Sequence, residues 1–408
     1  EGVFQFASDG MKDLLVNMRP DCINDIIAAN ALYRPGCLEN GWHLQYCRRK
    51  NGEESVEYAH PDVEEALGET YGVLVYQEQF MEAIHRLGGI SLVDSDTIRS
   101  ALGKKDKKKL HKFKERFVEG ASERIGTDKA EELWEQIEKA SGYTFNKSHS
   151  AAYSVLAYIS QYLKSYYPQH FWAAQLDWDT RKNKLEDMLT NRRAASDMGV
   201  KFRLPNVNLS KRRFRVLDGE VVWSLSSVKG IGPKAAQEIQ SKQPFSSFED
   251  FYARVNKGVV KYNNIEALIY SGALDDFGDR RNLLKLIASR KKGKRYVEVS
   301  EEDLIMKFSE SMGFFERGLK TTRPGFSKSC ITETTLREYD AGEAVRVGGM
   351  ITEVKTVKTK NGDAMGFATL MDLDEMIELT FFPKTWAAFR SLIHNGNLIE
   401  VVGNKSGY

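Results

Sequence analysis

Apolar residues recur at spacings of three and four through most of the first 198 residues, which predicts a series of amphipathic helices. The clearest stretches are 63–67, 76–87, 130–140 and 151–166, with Gly or Pro at the breaks between them. Between 202 and 276, FRVLDGEVVWSL predicts a hairpin that turns at Asp218-Gly219, and short helices follow it.

The pattern changes again near the C-terminal end. From residue 344, apolar and polar positions alternate in VRVGGMITEV, GFATLMDL, MIELTFF and LIEVVG, with a helical insert at 384–393. Alternation of period two predicts half-buried strands, and this order of strands and helix is that of a small oligonucleotide-binding (OB) barrel. Such a barrel needs five strands and four are visible, so we expect the last domain to continue beyond the chain. The whole pattern predicts a multidomain α+β protein.

Composition narrows the class of protein. With 408 residues, 41% hydrophobic and 28% charged, the chain is expected to form two to four domains. No apolar run approaches the ~18 residues of a membrane span, and no secretory signal is visible, so a membrane protein is not expected. The four cysteines are scattered, with no metal-ligand spacing and no disulfide framework, which favours a reducing, cytoplasmic compartment.

The net charge of +2 conceals basic clusters. Residues 104–116 read KKDKKKLHKFKER, with eight Lys or Arg against two acids, and further clusters lie at 211–215 and 290–295. One such run is commonly a solvated helix face. Three runs, two of them beside aromatic residues, favour a polyanionic partner.

The sharpest local motif is VKGIGPKAA, which starts at Val228. Two glycines between helices allow backbone amides to reach a phosphate oxygen, because a Cβ would stand in the way. The turn resembles the helix-hairpin-helix motif, and 264–275 resembles a degenerate second hairpin. A tight interhelical turn without a ligand is the alternative. The predicted DNA contacts of this region are Lys229, Gly230, Ile231, Gly232 and Lys234, with Lys211, Arg212 and Arg213.

The predicted barrel carries lysines on its first long strand and in the turn that follows, namely Lys355, Lys358 and Lys360. With Phe367, Phe381 and Phe382 they offer a basic rim and stacking faces for unpaired bases. Alternating phenylalanines are more often part of a core, so each ring has this second interpretation.

Five short motifs stand in a fixed order: FQFASDGM from Phe4, ALYRPG from Ala31, YGVLVYQEQ from Tyr71, RSALGKK from Arg99 and FNKSHSAAY from Phe145. In order and approximate spacing they resemble the C-family bacterial replicative DNA polymerases, the DNA polymerase III alpha subunits. The resemblance covers nearly all of the chain. It implies a fingers-like helical region at 1–200, a tandem helix-hairpin-helix domain at 201–285, a basic linker at 286–340 and an OB barrel at 341–408.

The resemblance also implies a nucleotide site. Positioned cations and hydrogen-bond donors hold a triphosphate whose charge changes during attack. The residues expected to line this pocket are Arg99, Lys104, Lys105, Asn146, Lys147, Ser148 and His149, with Arg34 and Gln77 framing it. The segment 145–149 taken alone is equally well a helix N-cap built from Asn146 and Ser148.

The expected partners are primer-template DNA, a deoxynucleoside triphosphate and a palm-containing polymerase segment. In the family, two Mg²⁺ ions are held by aspartates of that palm, so no catalytic or metal-binding residue is predicted in this chain. The close pairs Asp94/Asp96, Asp177/Asp179 and Asp372/Asp374 are interpreted as solvated acids in loops. The site of action would be the nucleoid or an infected-cell replication site.

Two departures from the family pattern limit these expectations. Ser100 stands where a second arginine is usual, which weakens the predicted phosphate grip. A sliding clamp is a possible partner, but the segment 303–308 lacks the glutamine that leads the family's clamp-binding peptide. The alternative function is a non-enzymatic DNA-binding protein that keeps only the hairpin and barrel grips.

Overall fold

The computed structural model describes residues 1–103, 107–141, 143–290, 296–315, 333–372 and 375–407. The chain forms two compact units, Glu1–Ser165 and Tyr166–Tyr408. No helix of these described ranges combines the length and the apolar character needed to cross a membrane. The predicted multidomain α+β class is confirmed, with a helical first unit and both helices and sheets in the second.

The first unit consists of α-helices joined by short turns. In chain order they are α1 (Asp9–Met18), α2 (Ile23–Leu32), α3 (Pro35–Glu39), α4 (Trp42–Lys50), α5 (Pro61–Leu67), α6 (Gln77–Gly88), α7 (Leu92–Gly103), α8 (Lys107–Ile125), α9 (Thr127–Ser141) and α10 (Lys147–Tyr166). The four stretches predicted from their three-and-four spacing therefore fall in α5, α6, α9 and α10.

Two hydrophobic cores hold this unit. One buries Phe80, Phe117 and Trp134 among α5 to α9, and the other buries residues of α1 to α4 around Tyr46 and Tyr76. Helices α6 and α8 approach closely where Gly88 meets Gly120, because a Cβ on Gly120 would lie 2.4 Å from the Gly88 carbonyl oxygen. Glycine is required there for the two backbones to touch.

The second unit begins with α11 (Pro168–Arg181), α12 (Leu185–Asp197) and a small sheet of β1 (Phe202–Arg203), β2 (Arg215–Leu217) and β3 (Glu220–Val222). The sheet has the order β1-β3-β2, with β1 parallel and β2 antiparallel to β3. The predicted hairpin is confirmed: it turns at Asp218 and Gly219, whose φ angles of 51° and 78° suit a two-residue turn. Helices α13 (Pro233–Lys242), α14 (Phe248–Arg254), α15 (Tyr262–Tyr270), α16 (Arg280–Ser289) and α17 (Glu301–Met312) follow.

The segment predicted as a linker is partly core. Helix α17 lies inside it, and Leu304, Phe308, Phe314 and Phe315 are buried in the main core of the second unit. Leu304, Phe308 and Met312 recur every four residues, and Ser300 caps the helix through Asp303, so the local signals were present. The basic cluster at 290–295 hid them. Trp172 and Leu189 of α11 and α12 also belong to this core, although the sequence placed both helices with the first region.

The C-terminal sheet has the predicted OB-type order. Its elements are α18 (Glu333–Leu336), β4 (Ala344–Lys358), β5 (Ala364–Asp372), β6 (Glu375–Phe381), α19 (Pro383–Phe389) and β7 (Leu398–Asn404). The strand order is β6-β5-β4-β7, and every pairing is antiparallel. The first half of β4 pairs with β7 and the second half with β5. Met350 and Met371 of this sheet are buried in the same core as α17 and the hairpin helices.

Candidate functional site

The start of α10 lies beside the start of α6 because a short parallel bridge joins Tyr76 to Phe145. The Phe145 amide donates to the Val75 carbonyl over 2.9 Å, and the Gln77 amide donates to the Phe145 carbonyl over 2.9 Å. Ser150 of α10 donates to the Ile27 carbonyl over 2.7 Å, which fixes α10 against α2. The predicted residues Gln77 and 146–149 are therefore brought together.

The N-terminus of α10 is capped. Asn146 Oδ1 accepts from the His149 amide at 2.9 Å and from Ser148 Oγ at 2.6 Å. This is the N-cap arrangement that the sequence left open as the alternative. It satisfies one amide of the first turn and leaves the side chains of Asn146, Ser148 and His149 exposed.

Two carboxylates occupy the same helix start. Glu78 accepts from the Lys147 amide and from Asn146 Nδ2, each at 3.0 Å. Glu69 forms an ion pair with Lys147 Nζ at 2.6 Å. The N-terminus of this 20-residue helix carries a partial positive charge that favours an anion, and the Glu78 carboxylate occupies that position. The sequence analysis missed both acids, and the signal available was Glu78 in the first turn of the predicted helix at 76–87.

Arg34 frames this region from α3. Its guanidinium donates to the carbonyls of Ala31 at 2.7 Å and Tyr143 at 2.6 Å, and its Cζ lies 4.5 Å from the Phe145 ring centroid. Burial lowers the pKa of Arg34, against a smaller raising effect of Cys37. The arginine thus holds the turn before α10 in place. His149 stacks by its ring against Tyr153, with centroids 4.5 Å apart.

Three of the predicted pocket residues remain. Arg99 of α7 pairs with Asp96 at 2.8 Å. Lys104 and Lys105 lie outside the described residues. Six of the nine predicted residues therefore meet at α10, namely Arg34, Gln77, Asn146, Lys147, Ser148 and His149.

The hairpin turn of the second unit presents its glycines to solvent. Gly230 has φ +91°, a conformation that favours glycine, and Gly232 is the extended N-cap of α13. Within the described residues, neither glycine amide donates to a protein acceptor. Lys229 and Lys234 are exposed, whereas Ile231 is buried and anchors the turn. Asn264 of α15 donates to the Gly230 carbonyl at 2.7 Å and braces the turn from the next helix pair.

The basic strap 211–213 runs beside the same hairpin. Lys211 Nζ donates to Gln243 at 2.6 Å, and the Arg212 amide donates to Gln240 at 2.8 Å, so both contact the end of α13. Arg213 lies 3.9 Å from the Asp177 carboxylate of α11. The strap therefore connects α11 with the hairpin helix.

The three predicted lysines of the OB-type sheet are exposed, two on the far half of β4 and Lys360 in the turn after it. Lys355 pairs with Glu353 at 3.1 Å. The rings divide between the two interpretations: Phe381 is buried, Phe367 is half-buried, and Phe382 is 67% exposed. Phe382 is thus the ring available for stacking.

The interpretation of the close acid pairs as loop residues needs correction. Asp94 and Asp96 lie on α7 and Asp177 and Asp179 on α11, so neither pair sits in a loop. Asp177 and Asp179 are buried, and burial raises the pKa of Asp179. The loop interpretation was wrong because it relied on the weak helix propensity of aspartate. Packing of the helix against its neighbours overrides that propensity. Asp372 ends β5, while Asp374 lies outside the described residues. The clamp-like segment 303–308 is part of α17, with Leu304 and Phe308 in the core.

Similarity to known proteins agrees with these features. Residues 1–125 match the bacterial DNA polymerase III alpha subunit finger domain, 199–284 a helix-hairpin-helix motif, and 345–408 an OB-fold nucleic acid binding domain. Across 98% of its length the chain is 35% identical to DNA polymerase III subunit alpha of Aquifex aeolicus. To the same subunit of Bacillus subtilis it is 33% identical, also across 98%. The chain belongs to the DNA polymerase III alpha family.

The resemblance drawn from the five motifs is therefore confirmed. The chain spans 36% of the length of the Aquifex aeolicus DNA polymerase III alpha subunit and 39% of the Bacillus subtilis one. Its three matched segments follow one another as finger domain, helix-hairpin-helix and OB fold, which is the order predicted from the sequence.

The one ligand cluster found among the described residues does not fit the Mg²⁺ ions that polymerase chemistry implies. Of the described residues, Asp21, Cys22 and Asp25 lie close enough together to hold a metal ion. Asp25 already accepts from Tyr46 at 2.9 Å and lies 3.3 Å from Lys50 Nζ. A lysine ammonium and a thiol are unsuited to an ion that demands six oxygen ligands.

Proposed function

We propose that this chain is the part of a replicative DNA polymerase that binds the incoming nucleotide and the primer-template DNA. The carrying observation is the start of α10, where Asn146, Lys147, Ser148 and His149 converge within a segment of a DNA polymerase III alpha chain. Lys147 and the first amides of α10 would hold triphosphate oxygens. Arg34 would fix the turn rather than contact the nucleotide, because its Nε and Nη2 both donate to backbone carbonyls.

DNA would be held by the second unit. The amides of Gly230 and Gly232, with Lys229, Lys234 and the strap of Lys211, Arg212 and Arg213, suit a duplex backbone that is gripped without reading its sequence. The exposed lysines of β4 and its turn, with Phe382, suit an unpaired strand. A cavity of about 790 Å³ lies between these two regions, lined by 228–232 of the hairpin and 350–352 of β4. It would lead a strand from the hairpin turn toward the sheet.

Catalysis would need the aspartates and Mg²⁺ ions of a palm segment, supplied from outside these 408 residues. The partner is therefore a palm-containing polymerase segment. We propose cytoplasmic work, at the nucleoid or an infected-cell replication site, with a sliding clamp as a further candidate partner.

Primer extension tests the proposal. The chain is incubated with primer-template, four dNTPs and Mg²⁺, alone and together with a palm-containing fragment. We expect primer extension only when the palm-containing fragment is present. We expect Lys147→Ala to raise the KM for dNTP while the affinity for DNA stays unchanged. The matched control is Lys129→Ala, an exposed lysine on α9. Extension with equal KM in both variants would overturn the placement of the nucleotide at α10.

A second candidate function is a DNA-binding protein without nucleotide use. The observation that favours it is the pair of carboxylates, Glu69 and Glu78, already seated on Lys147 and on the start of α10. This reading expects ordinary DNA affinity with a steep salt dependence and no effect of dNTP. Equilibrium binding of dNTP to the chain with bound primer-template separates the two functions, because only the polymerase reading expects saturable binding that Lys147→Ala weakens.

A further inference from the structure

The largest exposed aromatic side chain of α11 lies at its C-terminal end. Trp178 is 50% exposed, whereas Trp172 on the same helix is fully buried. Arg181 Cζ and Lys182 Nζ lie 5.6 Å and 4.8 Å from the indole ring centroid. The indole therefore offers an accessible aromatic face with two cations beside it.

The cations continue from Trp178 toward the hairpin. The Asp177 carboxylate is 3.2 Å from Arg181 Nε and 3.9 Å from Arg213 Nε, so one acid holds the two arginines side by side. The Asp177 side chain is 11% exposed, against 49% and 58% for the two arginines. The acid therefore holds the two guanidinium groups from its buried position and leaves their outer edges in solvent.

Arg212 extends this group of cations to α13, the helix of the hairpin. Its side chain is exposed, and its amide donates to Gln240 of α13 at 2.8 Å. We call Trp178, Arg181, Lys182, Arg212 and Arg213 the Trp178 surface. Of its four cations, Arg181 and Arg213 contact the single carboxylate of Asp177, which leaves an excess of positive charge beside an accessible ring.

We propose that the Trp178 surface binds an unpaired stretch of nucleic acid, with one base stacked on the Trp178 indole and the neighbouring phosphates on Arg181, Arg212 and Arg213. The chemistry favours a single strand because a base offers its face to an indole only when it is unstacked from a duplex. Lys182 would leave the ring and pair with a phosphate. The inference rests on the proposed function as a DNA-binding chain, and it adds a contact that the hairpin and the OB-type sheet do not provide.

Fluorescence anisotropy with labelled oligo(dT) and a labelled duplex of equal length tests this proposal. We expect Trp178→Ala to weaken oligo(dT) binding roughly 5- to 150-fold, the range for loss of one stacked base, and to leave duplex binding unchanged. Trp178→Tyr should retain most of the affinity because it keeps a stacking face. The double variant Arg181→Gln/Arg213→Gln should flatten the salt dependence of oligo(dT) binding by about one contact per arginine.

Each other outcome has a definite meaning. Unchanged oligo(dT) binding by Trp178→Ala overturns the inference, and the proposed function survives if Gly232→Ala still weakens duplex binding. Equal losses for oligo(dT) and duplex would show a backbone contact only and overturn base stacking. If the unaltered chain binds neither oligonucleotide, the proposed function fails as well. A melting temperature within a degree or so of the unaltered chain would confirm that the exposed Trp178 variant folds.

Discussion

The ammonium of Lys147 and the carboxylate of Glu69 lie 2.6 Å apart at the start of α10, with Glu78 on the adjacent helix amides. A phosphate that binds Lys147 and the first amides of α10 must therefore compete with the carboxylates of Glu69 and Glu78. We expect Glu69→Gln to tighten dNTP affinity by about 1.5- to 5-fold, the worth of an exposed ion pair.

Equilibrium binding of dNTP or tripolyphosphate measures that change. Lys147→Met removes the same ion pair from the other side and should weaken binding, so the two variants are matched opposites. If both variants weaken binding to the same extent, the ion pair only organises the turn, and the competition does not exist.

A substitution at Gly232 of the hairpin can test DNA binding with little effect on folding. A Cβ on Gly232 would meet no atom within 4 Å, whereas Gly230 has φ +91° and is strained by any side chain. We expect Gly232→Ala to cost at most about 1 kcal/mol of unfolding free energy and to weaken duplex binding about tenfold, because the methyl group blocks the phosphate.

The matched control is Gly403→Ala, an exposed glycine of β7 whose Cβ also meets no atom within 4 Å. Duplex affinity by anisotropy and stability by urea unfolding are measured on both variants. Undiminished duplex binding by Gly232→Ala would remove the amides of this turn from the DNA contacts.

Much of this architecture was predictable because it depends on local pattern. Helices α5, α6, α9 and α10 follow from apolar spacing, and the β2–β3 turn follows from Asp218-Gly219. Helix α17 was hidden since the charge of 290–295 suggested a linker, although its apolar period is regular. Burial of Asp177 and Asp179 was not predictable, as it depends on helices and strands distant in sequence.

Of the candidate site, the sequence predicted the residues at the start of α10 but not the carboxylates that contact them. Asn146 to His149 stand in one short motif, so their convergence follows from a single helix start. Glu69 pairs with Lys147 although the two are 78 positions apart in sequence, and no spacing rule connects them. Trp178 was overlooked for a related reason: exposure of a ring depends on the packing of its neighbours.

Asn264 braces the hairpin through two hydrogen bonds. It donates to the Gly230 carbonyl and accepts from the Lys261 amide, each at 2.7 Å. We expect Asn264→Ala to cost about 1–2 kcal/mol of unfolding free energy, since it removes a cap and unpairs a carbonyl. Urea unfolding measures the loss. Asn263→Ala, at the exposed neighbouring position, is the control and should leave stability unchanged; a similar loss in both would refute the brace.

A buried acid of the first unit predicts a pH dependence. Burial would raise the pKa of Asp25, but hydrogen bonds from the Asp21 amide and Tyr46 and the charge of Lys50 hold that pKa below its ordinary value of 3.8. A depressed pKa gives stability that is present above pH 3.8 and lost as pH falls toward the folded-state pKa.

We therefore expect Asp25→Asn to destabilise the chain by about 3 kcal/mol at neutral pH, because Lys50 loses a buried partner. The difference from the unaltered chain should shrink below about pH 4. Thermal unfolding across this pH range measures it, with Asp13→Asn, at an exposed position of α1, as the control. A pH-independent difference would mean that Asp25 acts through packing rather than charge.

The lysines of β4 and its turn predict the salt dependence of single-strand binding. Each phosphate contact contributes about 0.7 to the slope of log affinity against log salt for an unpaired strand. Replacing Lys355, Lys358 and Lys360 with Gln should reduce the slope by up to about 2. Titrations of oligo(dT) at several salt concentrations test this, with Lys384→Gln on α19 as the control. An unchanged slope would exclude these three lysines from the binding surface.

Met350 and Met371 place the C-terminal sheet in the same core as α17 and the hairpin helices, and Ser309 of α17 lies 3.9 Å from the Met350 sulfur. Hairpin and sheet are separate motifs in sequence, yet the sheet contributes these two methionines to the core of the hairpin helices. Melting one would open the other, so the two should unfold as a single cooperative transition. An evolutionary exchange of the sheet alone would have to bring a replacement for these methionines, which ties the inheritance of one motif to that of the other.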